Sequence, residues 1–206
     1  LLSTMEYFRM LRDNGVHSYP RLGLVTAAAY CGVIFYLFNK GERDIPGEVD
    51  LFAIAFTVMA AFTLQLRYPI HNNGALLSVA ANLLGFTYIA FLFNFATRIA
   101  FIVPGDAAVP GAYLLLWLLA ATKFTDMGAY IIGSMIGKHK MIPHISPGKT
   151  WEGFGGALLF SQLAACGLYA LMPEKLAVLS SWTHVIILGF IIAILAVIGD
   201  LAESVV

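Results

Sequence analysis

Six apolar runs, each close to twenty residues long, set the limits on what this chain can become. They fall at roughly 22–38, 50–66, 75–95, 109–125, 154–172 and 184–200. A helix rises about 1.5 Å per residue and the hydrocarbon of a bilayer is ~30 Å thick, so about 20 residues carry a helix across. The bilayer core offers the backbone no water, so the backbone must satisfy itself and helices are the default. The runs are too continuous for the alternating pattern of a membrane barrel. Composition agrees: 60% of the 206 residues are hydrophobic and 12% are charged, where a soluble domain carries about 25% charged residues. Mean hydropathy is +0.82. The chain reads as all-α: a polytopic integral membrane protein of about six transmembrane helices, forming one transmembrane domain over 1–206.

Lysine and arginine orient it. With six spans, the N-terminal segment and the loops at 67–74 and 137–153 share a side. That side holds Arg9, Arg12, Arg21, Arg67, Lys138, Lys140 and Lys149. The other side holds Lys40, Arg43, Arg98 and Lys175, with the acidic turn Glu42, Asp44 and Glu48. The basic 137–153 loop, between the fourth and fifth helices, is therefore expected in the cytoplasm, and the protein in the cell inner (plasma) membrane. Residues 1–21 mix charge with Leu, Met, Tyr and Phe, as a helix lying at the membrane surface does. Formal net charge is zero, which gives no reason to expect a nucleic-acid partner. Cys31 and Cys166 lie in apolar runs and read as buried free thiols.

The chemistry concentrates between Lys123 and Gly156. Asp126 stands at the end of an apolar run, and Asp200 and Glu203 at the end of another. An ionised carboxylate at mid-bilayer costs roughly 2.5–3.5 kcal/mol even on a lenient scale, so depth matters. From Val109 to Asp126, and from His184 to Asp200, a helix covers about 25 Å. Both aspartates are thus expected near the cytoplasmic edge of the hydrocarbon, beside the basic loop. One alternative is that they are interfacial caps, with Asp126 paired to Lys123. The other is a cation site: Asp200, Glu203 and Ser204 share a helix face, and oxygen ligands of this kind suit Mg2+, which takes one or two carboxylates plus substrate phosphates.

The loop also has two readings. Gly148-Lys149-Thr150 imitates the end of a P-loop, but Pro143 stands where that motif needs glycine, and no strand is expected before it. Ser146-Pro147 could start a turn, with Thr150 capping the next helix. Alternatively Lys149 and Lys140, with the hydroxyls of Ser146 and Thr150 and the following helix N-terminus, would clamp a phosphate. Lys138 and Lys140 would also attract anionic headgroups. His139 and His144 read as solvated, and Arg98 and His71 as interfacial.

Three blocks resemble the phosphatidate cytidylyltransferase (CDP-diacylglycerol synthase) family. They are Asp126-x-Gly128-Ala129-Tyr130-x-x-Gly133-x-x-x-Gly137-Lys138, Ser146-Pro147-Gly148-Lys149-Thr150-Trp151-Glu152-Gly153, and Gly199-Asp200-Leu201-x-x-Ser204. The resemblance implies condensation of CTP with phosphatidate to CDP-diacylglycerol and pyrophosphate, with Mg2+. It implies catalytic roles for Asp126, Lys149, Glu152 and Asp200, with Asp200 and then Asp126 on the metal. Lys138, Lys140, Ser146, Thr150 and Ser204 would serve the substrate side, Ser204 by supporting Asp200. Glu152 would orient Lys149 or the loop backbone. The implied partners are CTP, phosphatidate and membrane lipids, with a homodimer left open. The family's signature continues into further acidic and basic runs beyond the Gly-Asp-x-x-x-Ser helix. The chain is therefore expected to be incomplete at both ends, and this piece alone to be inactive. The rival readings are a CTP-dependent lipid kinase of polyprenol or phytol type, a cation-coupled transporter, and a purely structural membrane subunit.

Overall fold

A computed structural model describes residues 1–41, 45–68, 74–101 and 111–204. The expected turn at Glu42, Arg43 and Asp44, His71, and the start of the fourth run at Val109 lie outside the described residues. Six described helices are long and apolar enough to cross a membrane, as the hydropathy runs require: Pro20–Asn39, Gly47–Gln65, Gly74–Phe101, Ala112–Ile136, Trp151–Leu171 and Trp182–Glu203. The chain is a multi-pass membrane protein. It divides into two compact units, Leu1–Phe101 and Ile102–Val206.

The first unit begins with a short helix, α1 (Leu2–Asp13), which buries Thr4, Tyr7 and Phe8. α2 (Pro20–Asn39) opens on proline at its first position, where the missing N–H is no loss. α3 (Gly47–Gln65) carries Glu48 and Asp50 in its first turn, where the positive end of the helix dipole favours acids. The third crossing is composite. α4 (Gly74–Gly85) passes through a π-helical turn, Phe86–Phe91, into α5 (Leu92–Phe101). Side chains tie α4 to its neighbours: the Tyr7 hydroxyl donates to the Ala81 carbonyl at 2.9 Å, and the Tyr19 N–H to Asn82 Oδ1 at 3.2 Å. Ala27, Tyr30, Ile34, Phe38, Phe86 and Ala90 form the core between α2 and the composite helix.

This third crossing runs to Phe101, six residues past the apolar run, and takes in Arg98, in its last turn. Its guanidinium meets the Asp50 carboxylate, which also accepts the Tyr30 hydroxyl at 2.7 Å. Pairing removes the penalty that ended the hydropathy run.

In the second unit, α6 (Ala112–Ile136) and α7 (Trp151–Leu171) pack at backbone contact. A Cβ on Gly128 would overlap the Gly156 carbonyl oxygen, and one on Gly156 would overlap that of Gly128. Only glycine at both positions lets the helices approach so closely. α8 (Trp182–Glu203) follows, its first turn capped by Ser181, whose hydroxyl accepts the His184 N–H. Trp117, Ala121, Ala165, Leu176, Leu179 and Val185 form this unit's core.

α6 runs ten residues past Asp126, to Ile136, with Gly128 and Gly133 set against α7. One local expectation is corrected: the basic loop is not irregular. It is a two-stranded antiparallel hairpin, β1 (Lys140–Ile142) and β2 (Ser146–Thr150), pairing Lys140 with Thr150 and Ile142 with Ser146. A strand therefore does run into Thr150, though the glycine needed for a P-loop is still Pro143.

Candidate active site

The hairpin folds back beside α6, α7 and α8, and together they enclose a cavity of about 550 Å³. α6 supplies Thr122, Thr125, Asp126, Ala129 and Tyr130. Their spacing of three, four, seven and eight residues is one helix face. α8 supplies Ala196, Val197, Asp200 and Glu203, again one face. The hairpin contributes Met141, Gly148, Lys149 and Thr150, and the first turn of α7 contributes Gly153 and Phe154. Charged and apolar residues alternate along these faces: Asp126 stands one turn from Tyr130, and Asp200 one turn from Val197.

Lys149 is the basic residue of the cavity lining. Its Nζ lies 2.7 Å from Asp200 Oδ2, an ion-pair distance. The contact is not aligned for a hydrogen bond, and the buried ammonium has no hydrogen-bond acceptor among the described residues. The Lys149 side chain is 20% exposed and that of Asp200 56%, so the carboxylate faces the open side. A buried ammonium short of acceptors is costly to leave so; an anion with several oxygens would relieve it.

The sequence-expected residues divide into two groups. Asp126, Lys149, Thr150 and Asp200 all line the cavity. Asp126 also keeps an i, i+3 pair with Lys123 at 3.8 Å, as the capping alternative required. Thr150 caps α7: its hydroxyl accepts the Gly153 N–H at 3.1 Å, and the residue is 4% exposed. The other expected residues do not line the cavity. Lys138 and Lys140 are exposed. Ser146 sits in the hairpin pair with Ile142. Ser204 donates to the Asp200 backbone carbonyl at 2.9 Å, closing the end of α8 rather than touching the carboxylate. Glu152 takes the second of its two expected tasks: it accepts the N–H groups of Lys138 and His139 and does not meet Lys149.

Tyr130, Phe154, Met141 and Val197 were not anticipated as cavity residues. The signal for Tyr130 was present, since it lies four residues beyond Asp126. Nothing local marked Met141 or Val197. No three His, Cys, Asp or Glu side chains among the described residues converge as a metal cluster. Asp126, Asp200 and Glu203 nonetheless line one cavity, and one or two carboxylates with room for phosphate oxygens are the donor set that Mg2+ commonly uses.

A pocket of this kind, with a lysine ammonium and carboxylates among apolar helices, has the groups to hold a phosphate. Comparison with known proteins narrows it. Residues 1–206 match the cytidylyltransferase family, and the chain belongs to that family. It is 32% identical over 206 residues to the phosphatidate cytidylyltransferase of Staphylococcus haemolyticus, covering 99% of this chain and 72% of that protein. The phosphatidate cytidylyltransferase of Staphylococcus saprophyticus is 31% identical with the same coverage. That of Mycobacterium leprae is 38% identical over 96 residues, 46% of this chain and 28% of that protein. No solved structure matches the chain.

Proposed function

We propose that this chain carries the phosphate-handling site of a phosphatidate cytidylyltransferase, which condenses CTP with phosphatidate to give CDP-diacylglycerol and pyrophosphate. The observation that carries the reading is the mixed lining of one cavity. Lys149, Asp126 and Asp200 share it with Tyr130, Phe154 and Val197, which suits a substrate that has both a phosphate and acyl chains.

In this reaction a phosphatidate phosphate oxygen attacks the α-phosphorus of CTP. The new P–O bond forms as the α–β bridging bond breaks, and pyrophosphate leaves with the electron pair. Phosphatidate is already anionic at neutral pH, so no strong base is needed. The obstacle is bringing two polyanions together, and catalysis is mainly positioning and charge neutralisation. Lys149 donates to a phosphate oxygen, exchanging its single carboxylate contact for several acceptors. Asp200, with Asp126 as the second carboxylate, would hold Mg2+ directly or through water. When bound, that ion would supply positive charge to offset the charge that builds on the leaving group. Glu152 holds the hairpin backbone in place. The acyl chains lie along Tyr130 and Phe154 and leave sideways between helices. The site faces the cytosol across the plasma membrane, the side on which CTP is present.

The test is CTP-dependent pyrophosphate release from phosphatidate by the full-length protein, with and without Mg2+, beside Asp200→Ala. The expected result is Mg2+-dependent release with a CDP-lipid as co-product, lost in the variant. Full activity in Asp200→Ala defeats the assignment. CDP with a newly phosphorylated lipid would identify a lipid kinase, and cation flux without CTP a transporter.

A further inference from the structure

We infer that His139, which the proposed reaction does not use, is a positioning residue. With Glu152 it forms a clasp that fixes the hairpin bearing Lys149 over the cavity. The inference rests on the reading of Lys149 as the cation that holds phosphate.

The chain leaves α6 at Ile136 and must turn at once into the hairpin. At that turn the Glu152 carboxylate, in the first turn of α7, accepts the N–H of Lys138 at 3.1 Å and the N–H of His139 at 3.2 Å. Its Oε1 also lies 2.5 Å from the ring Nδ1 of His139. In return the Trp151 N–H donates to the His139 carbonyl at 2.9 Å. Residue 139 thus commits its N–H, its C=O and its ring nitrogen to the first two residues of α7. The next residue, Lys140, pairs across the hairpin with Thr150, the cap of that helix. Lys149 is the strand residue immediately inside this closure, so the clasp sets where its side chain starts.

An ionised carboxylate only accepts hydrogen bonds, so the nitrogen facing it carries the proton. The His139 side chain is 79% exposed, and exposed ion pairs add little to stability. The clasp therefore acts on geometry rather than on whether the protein folds. A displacement of about 1 Å at a reacting group costs on the order of 100-fold in rate, so a contact weak in stability can still be strong in function.

Two substitutions separate this from a generic surface contact. His139→Asn puts an amide N–H at the position of Nδ1, the same number of bonds from the backbone. His139→Gln puts it at the position of Nε2. In the full-length protein, His139→Ala and His139→Gln are expected to raise KM for CTP roughly five- to tenfold with kcat changed less, and His139→Asn to stay within about twofold of wild type. Amide exchange over Lys138–Met141, followed by mass spectrometry, is expected to quicken in the Ala and Gln variants and not in the Asn variant. The clasp is refuted if Asn and Gln behave alike, or if His139→Ala keeps wild-type KM and exchange. Should the protein make no CDP-lipid at all, the functional reading fails, while the exchange measurement still decides the clasp.

Discussion

Each unit of this molecule sets a carboxylate against a cation among apolar helices, and the two pairs are built in opposite ways. In the first unit Asp50 meets Arg98 and also accepts the Tyr30 hydroxyl. Both charged side chains are largely covered, at 16% and 21% exposed, and they join α2, α3 and α5. Arg98 donates to Asp50 through one Nη, while its buried Nε has no acceptor among the described residues. In the second unit Asp200 is more than half exposed to a cavity, and the buried Lys149 ammonium beside it has ion-pair contact but no aligned acceptor. The first pair is covered on both sides and hydrogen-bonded within the unit, and it serves the fold. The second opens through Asp200 onto a cavity, which is how a ligand site differs from a staple.

The sharpest way to break this contrast is to remove each pair in turn. Lys149→Met keeps the length and apolar stem and deletes the ammonium. It is expected to lower kcat/KM for pyrophosphate release by about 100- to 1000-fold, with the thermal midpoint unchanged or raised, because a poorly bonded buried charge has gone. An active Lys149→Met protein would end the comparison, since the open pair would then have no task.

Asp50→Ala is the counterpart. It strands Arg98 in an apolar unit, where breaking a buried pair costs about 3–5 kcal/mol. The expected outcome is a large fall in unfolding stability in detergent, with near wild-type turnover per folded molecule. Adding Arg98→Met should recover most of the loss. A stable but inactive Asp50→Ala protein would instead make the first pair functional.

What could be read in advance follows the range of each interaction along the chain. Membrane spans are local and were legible from hydropathy, because in lipid a continuous apolar run has few other structures open to it. The site was legible in part, since three blocks of residues resembled a known family and Asp126, Lys149 and Asp200 do share a cavity. What escaped was pairing at a distance. Asp50 and Arg98 are 48 residues apart, and hydropathy gives each a penalty without saying that they cancel. His139 and Glu152 are 13 apart across a hairpin whose first strand has three residues, too short for any periodicity to show.

Thr150 offers the finest test, because it sits where the fold and the site overlap. Its hydroxyl caps α7 and lies in a glycine cradle: a Cβ on Gly137 would come within 2.7 Å of Thr150 Oγ1. As a cap it needs only its oxygen as an acceptor; as a substrate contact it would also need its proton aimed into the cavity. Thr150→Val fills the cradle but deletes both. Thr150→Ser keeps both and removes only a methyl group. If capping is the whole role, Val costs about 1 kcal/mol of stability, Ser costs less, and KM for CTP stays within about twofold in both. A tenfold rise in KM for Thr150→Val, with Thr150→Ser unchanged and stability equal, would return this hydroxyl to the substrate. The boundary between what holds the hairpin and what the hairpin holds would then run through Thr150 rather than between it and Lys149.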